Sequence, residues 1–223
     1  MTSSALQRTN MVESQIRPSD VTDRRILRAM LALPRENFIP QSLAQLAYMD
    51  AAVPLFDATD RRPAPVRTMM APRALAKLVQ LAQVEATSHV LDVGTGRGYG
   101  AALLGQLAAS VAALESDPDL LAAAQAALVD HPNASVHPGP LSVGLPDHGP
   151  FDVIVLEGAV SVRPDALLAQ LKPGGRLVGV IHEGRVGHAT IWRRLGDHFG
   201  QSTAFEATVG LLPGFERPAV FVF

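Results

Sequence analysis

A glycine-rich stretch at residues 89–100 constrains this chain more than any other part of its sequence. The apolar run Val90–Val93 ends at Gly94, and glycines recur at positions 96, 98 and 100 before the helix-forming run 101–107. This pattern predicts a strand, a glycine turn and a helix. Glycines tolerate positive φ and let a ligand approach the backbone, while the first turn of a helix presents unpaired N–H groups. The stretch therefore predicts a ligand-binding loop.

A second apolar run, residues 111–114, ends at Glu115, roughly 20 residues after Gly94. In nucleotide-binding units built on parallel strands, an acid at this distance stands at the tip of the next strand and accepts hydrogen bonds from ribose hydroxyls. We therefore expect a nucleoside over the loop, with a tight turn that binds nothing as the alternative. The class of nucleoside stays open on spacing alone, because Gly96, Gly98 and Ala101 also match the dinucleotide pattern.

Composition limits the partners that this chain is expected to have. Its 223 residues, of which 48% are hydrophobic, suffice for one large α/β domain with an appendage. A net charge of −2 with both signs interspersed predicts neither a nucleic-acid partner nor a membrane partner. The absence of cysteine excludes disulfides and thiolate chemistry, and the scattered histidines predict no metal site. The start of the chain lacks a signal-peptide pattern, so a cytoplasmic protein is expected.

Strand-like and helix-like segments alternate after Glu115, which predicts a parallel sheet with right-handed crossovers. The expected order after the second strand is a helix through the alanine-rich stretch 120–129, a third strand ending in 136–141, a buried fourth strand at 151–157, a short helix at 164–171, a turn at 172–175 and a fifth strand. These segments together predict an α/β fold.

The chain before the glycine loop has a different character. Residues 10–50 are helical by periodicity, and Asp20 with Asp23 three residues later resembles a capped helix start. Residues 51–71 are rich in proline and charge, which predicts a loop, and Pro72 suits the first position of the next helix.

The glycine loop can also be read in the register Asp92-x-Gly94-x-Gly96-x-Gly98. In this register it resembles the first motif of class I S-adenosylmethionine-dependent methyltransferases. Phe151-Asp-Val-Ile followed by Lys172-Pro-Gly-Gly-Arg-Leu is likewise typical of class I methyltransferases rather than of nicotinamide enzymes. Four further phrases follow one another near the N-terminus: Met11-Val-Glu-Ser-Gln-Ile-Arg-Pro, Asp23-Arg-Arg-Ile-Leu-Arg-Ala-Met, Pro34-Arg-Glu-Asn-Phe-Ile-Pro and Ala47-Tyr-Met-Asp. Together, and in this order, these phrases resemble the protein-L-isoaspartate O-methyltransferases, a family of class I methyltransferases.

The resemblance implies a particular fold and domain organisation. The fold is α/β, a Rossmann-like class I methyltransferase sheet that is mostly parallel with an antiparallel C-terminal strand and carries a helical N-terminal extension. Residues 1–71 would form the extension and the substrate loop. Residues 72–223 would form the S-adenosylmethionine-binding domain as a single compact unit. The strand-like runs 188–194 and 217–223 would close the sheet as an antiparallel pair.

The resemblance also implies which residues bind the cofactor. The methionyl end would lie on Asp92, Gly94, Thr95, Gly96 and Gly98, the ribose on Glu115, and the adenine on Gly139, Pro140 and Leu141. Methyltransferases of this kind often place an acid after that glycine to accept the adenine amino group, whereas this chain has a proline. The adenine would therefore lose one hydrogen bond, worth about 0.5 to 1.5 kcal/mol.

The acceptor side of the resembled family carries Thr-Ile-Ser-Gln-Pro, whose polar groups help to hold the substrate carboxylate near the cofactor methyl. The corresponding stretch here reads Thr68-Met-Met-Ala-Pro72. Thr68 and Met70 are therefore the candidate catalytic positions, with a methionine where the family has serine. A methionine cannot donate the hydroxyl hydrogen bond that a carboxylate would accept.

The implied activity is esterification of isoaspartyl carboxylates in damaged proteins or peptides, with S-adenosylmethionine as cofactor. A carboxylate is already ionised at neutral pH, so in-line methyl transfer to it needs no general base. For an alcohol or amine acceptor, Glu157 or His182 would be the candidate base. The alternatives are a methyltransferase with another acceptor, a regulatory homologue without turnover, and a nicotinamide oxidoreductase. The sequence does not indicate an oligomeric state.

Overall fold

A seven-stranded sheet forms the centre of the computed structural model, which describes residues 3–60, 62, 66–183 and 186–217. A separate two-stranded ribbon consists of β1 (Val53–Pro54) and β2 (Thr68–Met69). The strands of the large sheet are β3 (His89–Val93), β4 (Ser110–Glu115), β5 (Ala134–Pro138), β6 (Phe151–Val160), β7 (Leu171–Glu183), β8 (Val186–Leu195) and β9 (His198–Glu206). The helices are α1 (Ser3–Met11), α2 (Arg24–Ala32), α3 (Pro72–Ala82), α4 (Tyr99–Gly105), α5 (Pro118–Ala127) and α6 (Asp165–Leu168).

The strand order of the large sheet is β5-β4-β3-β6-β7-β8-β9. Five neighbouring strands, β5, β4, β3, β6 and β7, are parallel to one another. β8 runs antiparallel to β7, and β9 runs antiparallel to β8. The chain leaves β3 towards β4 on one side, and β6 lies on the other side of β3. The gap between the carboxyl ends of β3 and β6 is therefore the switch point at which sheets of this type bind ligands. This topology confirms the predicted fold class.

The central strands agree with the predicted pattern, and the segments around β7 differ from it in one respect. The predicted helix 164–171 covers only Asp165–Leu168, because Leu171 already pairs with Phe151 as the first residue of β7. The next register pair is Val153 with Arg176, so residues 172–175 bulge out of the ladder. Gly174 has a φ of 79° in this bulge, which explains the glycines of the predicted turn.

The C-terminal strands were predicted only in part. The run 188–194 lies in β8 as expected. The second half of the antiparallel pair is β9, residues 198–206, which the sequence analysis missed because most of its side chains are exposed and mark no buried face. Arg217 lies outside any strand, and residues 218–223 of the other predicted run lie outside the described residues.

The N-terminal region contains short helices separated by single turns rather than long helical segments. α1 leads into a π-helical turn at Val12–Ile16 and a 3₁₀ turn at Arg17–Ser19. The cap of α2 is Asp23, whose carboxylate accepts from the Arg25 backbone N–H at 2.8 Å. The prediction that the cap begins at Asp20 was wrong, since Asp20 instead adopts a φ of 64° at the end of the 3₁₀ turn.

The composition of residues 51–71 had predicted a loop, but part of this segment forms strands. Val53 pairs with Met69 and Pro54 with Thr68, so β1 and β2 close the base of this segment. The ribbon holds Thr68 opposite Pro54. Pro72 begins α3, as predicted.

Side chains alternate between the two faces of the sheet and form one core on each. Val90 of β3 and Val153 of β6 belong to a cluster shared with the N-terminal helices, α3 and α4. Leu91 and Ile154 belong to the opposite cluster, with Trp192 and Phe215. None of the helices in the described part of the chain is long and apolar enough to cross a membrane.

Candidate functional site

The glycine loop joins β3 to α4 and has the geometry that its sequence predicts. Gly94, Gly96 and Gly98 have φ values of 78°, 60° and 93°, which a residue with a Cβ rarely adopts. The Gly94 N–H donates to the carbonyl of Leu114 at 2.9 Å, which ties the loop to the end of β4. The loop therefore lies at the switch point of the sheet, next to the tip of the second parallel strand.

Two acids flank this switch point on one face of the sheet. Asp92 pairs with Val155 across β3 and β6, and Glu157 lies two residues beyond Val155, so both carboxyl groups point to the same side. Asp92 is fully buried and Glu157 is 7% exposed. Among the described residues, no backbone or basic group donates a hydrogen bond to either oxygen of Asp92 or to Oε1 of Glu157. Their polar neighbours include each other and the Thr95 hydroxyl. Buried acids without such donors normally mark a site where a ligand completes the polar contacts.

The environment of the two acids favours their protonated forms. Burial raises the pKa of Asp92 to about 6, opposed by the neighbouring Thr95 hydroxyl and Glu157. Burial also raises the pKa of Glu157 well above its ordinary value, and the charge of Asp92 acts in the same direction. The two groups therefore retain a proton between them, as closely spaced buried carboxyl groups do.

The fourth glycine of the loop is explained by Glu157 rather than by backbone conformation. Gly100 lies within α4 and does not have a positive φ. A Cβ at this position would overlap Oε1 of Glu157. Gly100 therefore makes room for the Glu157 carboxyl group, and the two residues depend on each other.

Glu115 occupies the predicted position at the end of β4, where its carboxylate is fully buried. It accepts from the backbone N–H groups of Gly96, Ser116 and Asp117 at 2.9, 2.8 and 3.0 Å. Arg67 holds the same carboxylate in a bidentate ion pair, with both N–O distances 3.0 Å. The group predicted to bind ribose is thus paired within the protein.

Arg67 and two leucines cover the glycine loop. Arg67 also donates a hydrogen bond from Nη2 to the Gly94 carbonyl at 3.0 Å. A Cβ built on Gly96 would lie 2.6 Å from Leu55, and one built on Gly94 would lie 2.7 Å from Leu212. The cavity that remains is too narrow to hold a water molecule. We call this cavity the crevice; besides the glycine loop it is lined by Phe38, Leu55, Thr68, Met69, Tyr99 and Glu157.

The predicted adenine segment follows β5 and lies against the same loop. The Gly139 N–H donates to the carbonyl of Glu115 at 3.1 Å. Leu141 is buried, and its side chain comes within 3.5 Å of a Cβ built on Gly94. Pro140 is exposed. The structure thus brings the three predicted parts of the nucleoside site together, and their roles in binding stay predictions.

The two candidate catalytic positions differ in their surroundings. Thr68 lines the crevice together with Met69. Met70 is buried, and its carbonyl accepts a hydrogen bond from Nη2 of Arg35. Met69 rather than Met70 therefore faces the crevice, and a catalytic role for either candidate stays a prediction.

Arg35 is a buried residue of this region that the sequence analysis missed. Its Nε donates to the carbonyl of Ala47 at 2.8 Å, and its guanidinium carbon lies 4.8 Å from the centre of the Tyr99 ring. The hydrogen bond to Met70 links the N-terminal region to the segment after β2. The phrase beginning at Pro34 was the available signal, although it did not reveal the contact.

Comparisons with known proteins agree on one family. The family model described as protein-L-isoaspartate(D-aspartate) O-methyltransferase (PCMT) matches residues 6–206. A protein-L-isoaspartate O-methyltransferase from Koribacter versatilis is 40% identical over 181 residues, which cover 80% of this chain and 78% of the relative. A protein of the same name from Rhodopseudomonas palustris is 39% identical over 75% of this chain and 74% of its own length.

Solved structures agree on the fold. A protein-L-isoaspartate O-methyltransferase structure gives a TM-score of 0.79 at 23% identity and covers 93% of this chain, which spans 66% of that protein. A Plasmodium falciparum protein assigned to the same enzyme group, in complex with S-adenosyl-L-homocysteine, gives a TM-score of 0.76 at 20% identity over 92% of this chain and 97% of its own. At these identities the structures support the fold, and the sequence matches support the family. The chain belongs to the protein-L-isoaspartate(D-aspartate) O-methyltransferase family.

Proposed function

We propose that this protein transfers a methyl group from S-adenosylmethionine to the carboxylate of isoaspartyl residues in damaged proteins or peptides. The observation that carries the proposal is the pair of buried acids, Asp92 and Glu157, at the switch point beside the glycine loop, because no backbone or basic group donates to either oxygen of Asp92 or to Oε1 of Glu157 among the described residues. Asp92, unlike Glu157, belongs to the motif shared with class I methyltransferases. The cytoplasmic location expected from the sequence is part of this proposal.

The residues around the crevice suit this cofactor in chemistry, and one rearrangement is needed for space. Ligand sites generally have volumes of about 300 to 1,000 Å³, whereas the crevice is too narrow to hold a water molecule. The groups over the glycine loop are the ends of the flexible side chains Arg67, Leu55 and Leu212. When these ends withdraw, the loop backbone would hold the methionyl end, Glu115 the ribose, and Gly139–Leu141 the adenine.

S-adenosylmethionine supplies a methyl group on a positively charged sulfur, which needs an aligned nucleophile and no prior activation. The chain's contribution is therefore to position the two reactants and to exclude water. The buried pair of Asp92 and Glu157 adjoins the crevice, which Glu157 lines, and Glu157 favours its protonated form. Tyr99 and Phe38, whose rings meet edge to face at 5.5 Å between centroids, close the crevice on the N-terminal side.

The acceptor carboxylate would approach past Thr68, which lies on β2 at the edge of the crevice. The Thr68 hydroxyl supplies a donor that a carboxylate accepts. Glu157 does not repel such an acceptor while it is protonated, and its raised pKa favours the protonated form. A general base has no task in this reaction, because the acceptor is already an anion.

Labelled methyl transfer tests the proposal directly. The purified protein is incubated with methyl-labelled S-adenosylmethionine and a peptide that contains one isoaspartyl residue, with the same peptide carrying normal aspartate as control. We expect a base-labile methyl ester on the isoaspartyl peptide only. Cofactor binding without any methyl ester on that peptide would refute the acceptor and leave the family and fold unaffected.

A further inference from the structure

We propose that Asp92 and Glu157 act as one acidic pair, which binds a cationic centre of the cofactor and releases a proton to solvent when that cation arrives. The proposal rests on the proposed cofactor, and it assigns a binding role to Glu157 in addition to the motif residue Asp92. The ligand chemistry is a cation carried by a nucleoside, either the sulfonium or the α-ammonium group of S-adenosylmethionine.

The position of the acidic pair supports this role. The two residues lie on adjacent parallel strands that diverge at the switch point, and Glu157 lines the crevice. Both are more than nine-tenths buried, and in the described part of the chain no backbone or basic group donates a hydrogen bond to either oxygen of Asp92 or to Oε1 of Glu157. Gly100 leaves the space that the Glu157 carboxyl group fills. α4 thus has a glycine at the position where a side chain would collide with the buried Glu157 carboxyl group, so the sequence accommodates this acid.

The charged and titratable groups around the pair leave its charge incompletely neutralised. Asp92 faces Thr95 of the glycine loop, and burial together with the negative charge of the Glu115 carboxylate on β4 raises the pKa of Asp92. Glu157 faces three groups on other elements, namely Arg35 from the N-terminal region, Arg67 from the segment before β2 and Tyr99 from α4. Arg67 is already paired with Glu115, and Arg35 donates to two backbone carbonyls.

A proton exchange follows from this arrangement. Two carboxyl groups in one buried site do not both ionise readily, so in the free protein the pair retains a proton. A cation placed beside them favours the doubly ionised form, and the proton leaves to solvent as the cation binds. The affinity for the cation should therefore rise with pH across the range in which the pair loses its proton.

Calorimetry in two buffers of different ionisation enthalpy counts the protons released on binding. The probes are S-adenosylmethionine, S-adenosylhomocysteine and 5′-methylthioadenosine, which lacks both cationic groups. We expect release of up to one proton with S-adenosylmethionine, declining at high pH, and none with 5′-methylthioadenosine. Release with S-adenosylhomocysteine as well would assign the ammonium group, and its absence would assign the sulfonium.

The variant Glu157→Gln keeps the shape of the side chain and removes one acid of the pair. We expect it to lose the proton release and to bind S-adenosylmethionine roughly ten- to a hundredfold more weakly at neutral pH, the size of one lost interaction with a charged group. Glu206→Gln, at an exposed position of β9, is the control and should match the parent protein. Circular dichroism and thermal unfolding verify that each variant is folded.

Two results would overturn the proposal: cofactor binding without proton release between pH 6 and 8, or equal release by the Glu157→Gln variant. If that variant does not fold, Asp92→Asn removes the other acid, and unchanged proton release in it would refute the pair equally. Failure of methyl transfer to an isoaspartyl peptide leaves this inference intact. Failure to bind any of the nucleosides would instead refute the proposed function.

Discussion

Replacing Arg67 by methionine should destabilise the protein and at the same time tighten cofactor binding. The Arg67 side chain is 11% exposed and holds Glu115 by two contacts of 3.0 Å. The ribose that Glu115 is proposed to bind must displace this guanidinium. The Arg67→Met variant removes the competitor and leaves the carboxylate in place.

The magnitudes follow from the contacts that remain. Removing one partner of a buried ion pair costs about 3 to 5 kcal/mol. Glu115 keeps three backbone N–H donors, so we expect the lower end, about 3 kcal/mol of unfolding free energy and about 6 to 12 °C in Tm. Since a hydrogen bond to a charged group is worth about 1.5 to 3 kcal/mol, the Kd for S-adenosylhomocysteine should fall roughly ten- to a hundredfold.

Calorimetric titration with S-adenosylhomocysteine and thermal unfolding measure the two effects on the same samples. Arg62→Met is the matched control, because Arg62 belongs to the same segment but pairs with Asp117 and Asp119 instead of Glu115. Its side chain is partly exposed, so its loss should cost no more than about 1 kcal/mol and leave the Kd unchanged. An Arg67→Met variant with an unchanged or higher Kd would refute the idea that Arg67 competes with the cofactor.

Three further predictions concern the interior of the site. Gly100→Ala should lower the unfolding free energy by about 1 to 3 kcal/mol, because the added Cβ overlaps Glu157. In chemical denaturation, the double variant Gly100→Ala/Glu157→Ala should recover most of this loss. No recovery would contradict the assigned contact. Because the pKa of Asp92 is raised to about 6 and that of Glu157 is raised as well, these two groups hold more protons in the native state than in the unfolded chain from about pH 4 until the pH passes their raised pKa values. Their contribution to the unfolding free energy should therefore fall as pH rises through this range, and the difference in unfolding free energy between the parent protein and Glu157→Gln should change with pH accordingly. A pH-independent difference would count against the raised pKa values. Arg35→Met should lower the unfolding free energy, measured by chemical denaturation, by about 2 to 4 kcal/mol, because two buried carbonyls lose their donor. Arg35→Lys should be destabilised as well, because an ammonium group lacks the planar fork that reaches both carbonyls. Full stability of Arg35→Lys would show that the guanidinium fork is not needed.

Local sequence patterns were sufficient to predict the glycine loop and the ends of the strands around it. Gly94, Gly96 and Gly98 need positive φ values, and an apolar run before them can only be followed by a turn there. The acid Glu115 was placed correctly because a parallel βαβ unit fixes its distance along the chain. These features depend on neighbours in sequence, which periodicity and spacing describe.

Contacts between distant segments were not predictable in the same way. Arg67 meets Glu115 across 48 positions of sequence and Arg35 meets Met70 across 35. No periodicity encodes such pairs, because a charged residue in a proline-rich or turn segment has the same local pattern whether it faces solvent or a buried acid. The proximity of Glu157 to Asp92 could have been inferred, since both lie towards the carboxyl ends of buried apolar runs that form adjacent parallel strands.

The central claim is that the crevice beside the glycine loop binds the sulfonium nucleoside. A crystal structure of the protein soaked with S-adenosylhomocysteine tests it most directly. The account predicts ribose hydroxyls on Glu115, the methionyl end beside Asp92 and Glu157, and Arg67 withdrawn from the Glu115 carboxylate. A ligand bound elsewhere, with the pair of Arg67 and Glu115 intact and the crevice still closed, would contradict it.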